Sequence, residues 1–181
     1  MKRKSFAQLN LMLDVVGKNE DGYHDLEMIM VPIDLFDTID IELADKTSIK
    51  SNKHYIPNDH RNTIIQTIEL MRQEYNFTEN FKIRLQKNTP TRGGMGGGSS
   101  NASLVIRMIN DLLNLNISYE KMHEIAKKIG SDVPFTLYGK PALVSGIGEE
   151  ISPVNVNMDM YIFLVKPRKG VSTPQLFKSL D

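Results

Sequence analysis

No cysteine occurs in the sequence, which excludes a disulfide framework and thiolate chemistry and suits a reducing compartment. The cytoplasm is therefore the expected location. Excess charge of either sign is absent as well, since 22 lysines and arginines face 22 aspartates and glutamates. No single-signed field draws the chain to nucleic acid or to an anionic membrane, and no basic block follows Lys2–Lys4, so the expected partner is a small molecule. Long apolar runs are missing too: the longest, Met160–Val165, is far too short to span a bilayer. Gln8 and Asn10 interrupt any apolar stretch after the basic start "MKRK", which argues against an export signal. There is no internal repeat and no low-complexity linker, and Ser152–Asp159 reads as an ordinary loop.

What is present is a chain of 181 residues, 40% of them hydrophobic, enough for one domain over residues 1–181 with a real core. Leu9, Leu11, Leu13 and Val15 alternate with Asn10 and Asp14, the period of a strand with one buried face. The turn "NEDGYH" follows. "LEMIMVPID", "TIDIEL" and "FKIRLQ" read as further strands of a largely antiparallel sheet, and "PALVSG" and "MYIFLV" return to strand near the end. From Asn62, a candidate N-cap, Ile64, Ile65, Ile68, Met71 and Tyr75 recur at helical spacing. A second helix carries Leu104, Val105, Met108, Ile109, Leu112 and Leu113. A third is capped by Ser118, has Glu120 in its first turn, and is expected to close at a left-handed Gly130. Strands and helices come in clusters, without the regular alternation of a doubly wound sheet, so the fold class is α+β.

The most informative stretch is "NTPTRGGMGGGSSNAS", Asn88–Ser103. A helix leaves its first N–H groups unpaired and carries partial positive charge there, so bare backbone just before it lets an anion approach. Gly93, Gly94, Gly96, Gly97 and Gly98 remove side chains from that approach. Ser99 and Ser100 add hydroxyls suited to phosphate oxygens or to a phosphate-bound Mg²⁺, and the helix is expected to start close to them. Five glycines cost roughly 0.5–1 kcal/mol each against alanine, which implies a reason for keeping them. No lysine stands where a Walker A loop needs one, and the strict G-x-G-x-x-G spacing is absent.

The stretch resembles the phosphate loop of the GHMP small-molecule kinases, P-x-x-x-G-[LM]-G-x-x-S-[SA], with Pro90, Gly94, Met95, Gly96, Ser99 and Ser100 filling it in order. Within that family, "AQLNLMLDVVGKNEDGYHDLEMIM", "RNTIIQTIELM", "IGSDVPFTLYGKPALVSGIGEEI" and "KPRKGVSTPQLFKSL" resemble the branch that phosphorylates 4-diphosphocytidyl-2-C-methylerythritol in the non-mevalonate isoprenoid pathway. The resemblance implies the N-terminal domain of such a kinase, a fold like domain 2 of ribosomal protein S5. It implies ATP with Mg²⁺ at Pro90, Gly94–Ser100, Asn62 and Lys87, with Asn62 and the Lys87 backbone beside the adenine. It also implies a small-molecule acceptor carrying a cytidine diphosphate group, with Tyr23 and Phe177 sandwiching the cytosine and His24 reading its polar edge. Asn10 and Thr173 fall near the acceptor hydroxyl, and Asp132 in "GSDVPF" matches the catalytic aspartate that accepts or orients the hydroxyl proton.

Two departures stand out. The family reads "AK[IL]N" near its start, and its lysine offsets charge around the reacting groups. Here the string is "AQLN", so Gln8 donates a hydrogen bond and carries no charge. Relatives also continue past "FKSL" into a second domain, whereas this sequence stops at Asp181. Three readings stay open on these residues: a metabolic kinase, a nucleotide-binding protein with impaired catalysis, and a GHMP-type kinase for another small acceptor.

Overall fold

The structure, a computed structural model, describes residues 1–19, 22, 24–156 and 159–167. Its elements are β1 (Lys2–Lys18), β2 (His24–Ala44), β3 (Ser48–Ser51), α1 (Thr63–Tyr75) and β4 (Asn80–Gln86). They continue with α2 (Gly97–Leu113), α3 (Tyr119–Ile129), α4 (Val133–Tyr138), β5 (Ala142–Gly146) and β6 (Glu150–Pro153). The sheet runs β3-β4-β2-β5-β6, with β1 added along β2. Every pairing is antiparallel except β3 with β4, which is parallel. The α+β assignment and the largely antiparallel sheet hold.

β2 organises the sheet. β1 pairs with it from Lys2↔Asp40 to Lys18↔His24, while on its other edge β4 takes Thr38–Ala44 and β5 takes Leu26–Met30. The sequence pattern suggests two strands here; the structure has one of 21 residues, because Phe36 and Asp37 remain paired through Phe6↔Phe36 and Ser5↔Asp37. Phe6 and Phe36 also meet edge to face, 5.6 Å apart. Register shifts at Phe6/Gln8, Asn10/Met12 and Val15/Gly17 bend the β1–β2 ribbon and re-aim side chains at each bulge.

Phe81, Ile83 and Leu85 of β4 alternate inward and join Ile39 and Ile41 under Ile64, Ile68 and Met71 of α1 and Val105, Ile106 and Ile109 of α2. Helices thus cover one face of the sheet. A smaller apolar cluster joins Phe135 of α4 to Leu26, Met28, Met30, Ala142 and Val144. Asn62 caps α1 by accepting from the Ile64 N–H, and Ser118 caps α3 through the Lys121 N–H.

Five local expectations are corrected, the first being the buried leucine face of β1, since Leu11 and Leu13 stand exposed on a ribbon bent by bulges. α2 begins at Gly97, two residues before Ser99, because left-handed Gly96 already turns the chain into the helix. Gly130 closes α3 with an extended φ of 170°, its N–H still reaching the Ala126 carbonyl. Met160–Val165 is not a strand: it has no ladder partner among the described residues, and Tyr161, Phe163 and Val165 are exposed. Ser152 and Pro153, expected in a loop, end β6.

The segment leaving β4 is fastened to β2 by Asp37, which is 0% exposed. Its carboxylate accepts from the Lys87 ammonium, whose side chain is also buried, and from the backbone N–H groups of Asn88 and Thr89, both at 2.8 Å. Removing one partner of such a pair strands the other charge away from water, at a cost of about 3–5 kcal/mol. Asp37→Ala is therefore expected to lower unfolding free energy by about that amount in urea denaturation. Arg84→Ala, which breaks exposed pairs to Asp40 and Glu42, is expected to cost under about 1 kcal/mol. Equal losses in the two variants contradict this ranking.

Candidate functional site

Between β4 and α2 the chain makes a tight excursion. It starts at the Asp37 anchor, returns to β1 where the Gln8 N–H donates to the Met95 carbonyl at 3.1 Å, and enters α2 at Gly97. Gly94 and Gly96 have φ of 67° and 58°, a region that favours glycine. At three of the loop's glycines a side chain would meet other side chains. A Cβ on Gly96 would lie 2.6 Å from the Gln8 amide, one on Gly97 2.7 Å from Lys87 Nζ, and one on Gly93 2.7 Å from the Met95 methyl. Gly98 differs. Its φ is unexceptional, and a Cβ there would meet only Thr63, at an ordinary 3.7 Å.

The loop, the start of α2 and the start of α1 enclose a cleft of about 540 Å³. Pro90, Gly94, Met95, Gly96, Gly97, Gly98, Asn62 and Lys87 all line it, so eight of the ten residues expected at a nucleotide converge there. Of the other two, Ser99 is half-buried in the first turn of α2. Ser100 is 3% exposed and its Oγ has no partner; it lines a second cavity of about 260 Å³ together with Gln8, Ser5, Arg107 and the end of α4. Among the described residues, no aspartate or glutamate lines the first cleft. Its charge and the dipole of the 17-residue α2 both favour an anion.

Asn62 and Lys87 are more occupied than the sequence suggests. The Asn62 amide donates to the Pro57 carbonyl at 2.7 Å while its oxygen caps α1. The Lys87 backbone N–H donates to Asn52 Oδ1 at 2.7 Å, and its carbonyl accepts from Asn52 Nδ2 at 3.3 Å. That carbonyl keeps a second lone pair for a ligand donor. Asn52 and Asp37 escaped sequence reasoning, having no motif to mark them. Lys166, whose stem would lie 3.3 Å from a Cβ on Gly93, also went unnoticed.

Gln8 is 2% exposed, with Oε1 buried and unpartnered and its amide against Gly96. Asp132 occupies the N-cap position of α4 without making a capping bond; it is half-buried, and burial pushes its carboxyl above the usual carboxylate range. Asn10 donates to Met28 Sδ at 3.4 Å. His24 opens β2 opposite Lys18. Tyr23, Thr173 and Phe177 lie outside the described residues.

Comparison with known proteins gives a consistent result. Residues 62–140 match the sequence family described as GHMP kinases N terminal domain. A 4-diphosphocytidyl-2-C-methyl-D-erythritol kinase of Clostridium perfringens is 45% identical over 183 residues, covering 100% of this chain and 64% of that protein. One from Clostridium tetani is 41% identical over 182 residues, covering 100% of this chain and 65% of that protein. The chain thus spans just under two thirds of these relatives' length. A crystal structure of 4-(cytidine 5'-diphospho)-2C-methyl-D-erythritol kinase superposes with a TM-score of 0.75 at 29% identity, over 87% of this chain and 56% of that one. A homoserine kinase from Cytophaga hutchinsonii shares the fold, with a TM-score of 0.63 at 18% identity over 99% of this chain and 64% of that one.

The buried carboxyl of Asp132 carries a pH signature. Its raised value in the fold means that the native state holds the proton more tightly than the unfolded state, so stability falls as pH rises above the ordinary value of 3.8. Asp132→Asn removes that penalty. The variant is expected to melt higher than wild type near neutral pH, with the gain vanishing below pH 3.8, where the carboxyl is protonated in both states. Thermal unfolding at the two pH values checks this; a gain that is absent, or the same at both, contradicts it.

Proposed function

We propose that this chain, whose residues 62–140 match the GHMP kinases N terminal domain, is a GHMP kinase and forms the ATP-binding part of a kinase acting on 4-diphosphocytidyl-2-C-methyl-D-erythritol, in the non-mevalonate route to isoprenoid precursors. The observation that carries this reading is the convergence of the glycine loop and the α2 N-terminus on a cleft that no carboxylate lines among the described residues. In the proposed reaction the acceptor's tertiary 2-hydroxyl oxygen forms a bond to the γ-phosphorus, the bond to the ADP oxygen breaks, and the hydroxyl proton passes to Asp132. A carboxyl raised by burial is a stronger base once ionised, which suits that role. Tyr23, His24 and Phe177 are proposed to hold the cytosine, and Asn10 and Thr173 the acceptor end.

The residues present fit a phosphate-bound Mg²⁺. Ser100, in the first turn of α2, has a buried hydroxyl without a partner that lines the second cavity beside Gln8, and among the described residues no carboxylate lines the cleft to compete for the phosphates. Ser100, with Ser99 beside it, would hold the ion, which supplies charge neutralisation on the phosphates when bound. The chain's own contribution is orientation: backbone N–H groups at Gly97–Ser99 for the triphosphate, and Asn62 and Lys87 for the adenine side.

Gln8 favours a second reading, a nucleotide-binding protein of low catalytic power, because a buried neutral amide stands beside Gly96. A lysine stem is one atom longer and ends in a charge. Removing one well-placed stabilising group typically costs about 10²–10³ in rate, so Gln8→Lys is expected to raise turnover by roughly that order. Asp132→Asn in the same chain is expected to cancel the gain. The measurement is coupled ADP release with and without the cytidyl acceptor. It is run on the protein alone and with the part of the Clostridium perfringens relative that the chain does not match. Acceptor-dependent release supports the kinase; full activity with Gln8, or no response to lysine, removes the role assigned to this position.

A further inference from the structure

Four non-glycine residues adopt left-handed backbone among the described residues: Asn76, Arg92, Asn114 and Asn116. Three are asparagines, the type that tolerates this region, and two of those terminate α1 and α2. Arg92 is the exception. It has φ of 53°, no amide to bond its own backbone, and glycines on its C-terminal side that would take the conformation without strain. A long cation kept where glycine is easier points to work for the side chain, and strained backbone of this kind gathers at ligand sites.

The cleft's charges narrow that work. Of the cations lining it, Lys87 is paired with Asp37, and Arg61 is held by Asp59 with N–O distances of 2.8–3.2 Å. Arg92 lines the same cleft, is exposed, and has no carboxylate or hydrogen-bond partner among the described residues. Independently, Asn101 lines the cleft at 3% exposure with Oδ1 buried and unpartnered, an acceptor that a ligand hydroxyl or amino group would satisfy and a phosphate oxygen would not. A guanidinium is suited to two phosphate oxygens at once.

We propose that Arg92 is a phosphate-contacting residue whose guanidinium takes the terminal phosphates of a nucleotide bound at the glycine loop. This rests on the nucleotide reading above and adds to it a cation that the loop's glycines do not supply. It also predicts a selectivity: the contact follows the number of phosphates and is indifferent to the base.

Calorimetry of the whole protein with a non-hydrolysable ATP analogue, ADP and adenosine tests it on wild type, Arg92→Gly, Arg92→Asn and Arg92→Lys. Glycine relieves the backbone, asparagine tolerates it while removing the charge, and lysine keeps the charge without the fork. Glycine and asparagine are each expected to weaken the analogue about tenfold, equivalent to about 1.4 kcal/mol, with ADP affected less and adenosine not at all. Lysine is expected to retain part of the affinity. The loss should shrink at about 1 M salt, and the thermal midpoint of Arg92→Gly should not fall. A wild type that binds no ATP analogue overturns the nucleotide reading and this inference with it. Normal wild-type binding with unchanged variants, or an equal loss for adenosine, overturns this inference alone.

Discussion

A carboxylate shut away from water holds the junction on which the cleft depends. Asp37 sits on the central strand β2, and its oxygens gather one buried ammonium and two backbone N–H groups from the segment that leaves β4. Burying a charge is costly unless it is paired and hydrogen-bonded, and three donors meet that demand. The consequences run forward along the chain. Lys87, drawn to Asp37, comes so close to the first residue of α2 that a side chain at position 97 would push its ammonium aside. The loop then closes against β1, where Gln8 allows only glycine at 96. One desolvated ion pair thus connects the sheet, the loop and the helix N-terminus.

The glycines consequently serve two masters. Those at 96 and 97 are bare because side chains pinned by the fold occupy the space, a Cβ at 93 would displace only the Met95 methyl, and those at 94 and 96 also satisfy positive φ. A valine at Gly96 would therefore collide with Gln8 whether or not phosphate binds there, so that substitution reads packing as well as ligand. Gly98 has neither constraint. Its bareness is the part of the loop best explained by what approaches from outside.

Much of this was legible locally. The Asn62 and Ser118 caps, the alternation of Phe81, Ile83 and Leu85, and the loop-to-helix transition depend on neighbours within a few residues, so short-range chemistry reveals them. The single-strand nature of β2 was hidden because the pattern lapses between Asp34 and Thr38, and only the partner strand β1 keeps the ladder going. Asp37 lies 50 residues from Lys87, and nothing in "LFDTID" marks its carboxylate as buried. Asn52 belongs to the same class: its role exists only once β3 is laid beside β4. Met160–Val165 failed in the opposite direction, since apolar β-formers make a strand only when a ladder partner is present.

The central claim is that the first turn of α2 offers its bare backbone to phosphate, and Gly98 isolates that claim from the fold. Alanine is the better helix former by up to about 1 kcal/mol, and the position has room for a methyl group. Binding of a non-hydrolysable ATP analogue to Gly98→Ala, measured beside its urea stability, is the direct test. The account predicts a variant at least as stable as wild type that binds the analogue several-fold more weakly. A stable variant with wild-type affinity would contradict it.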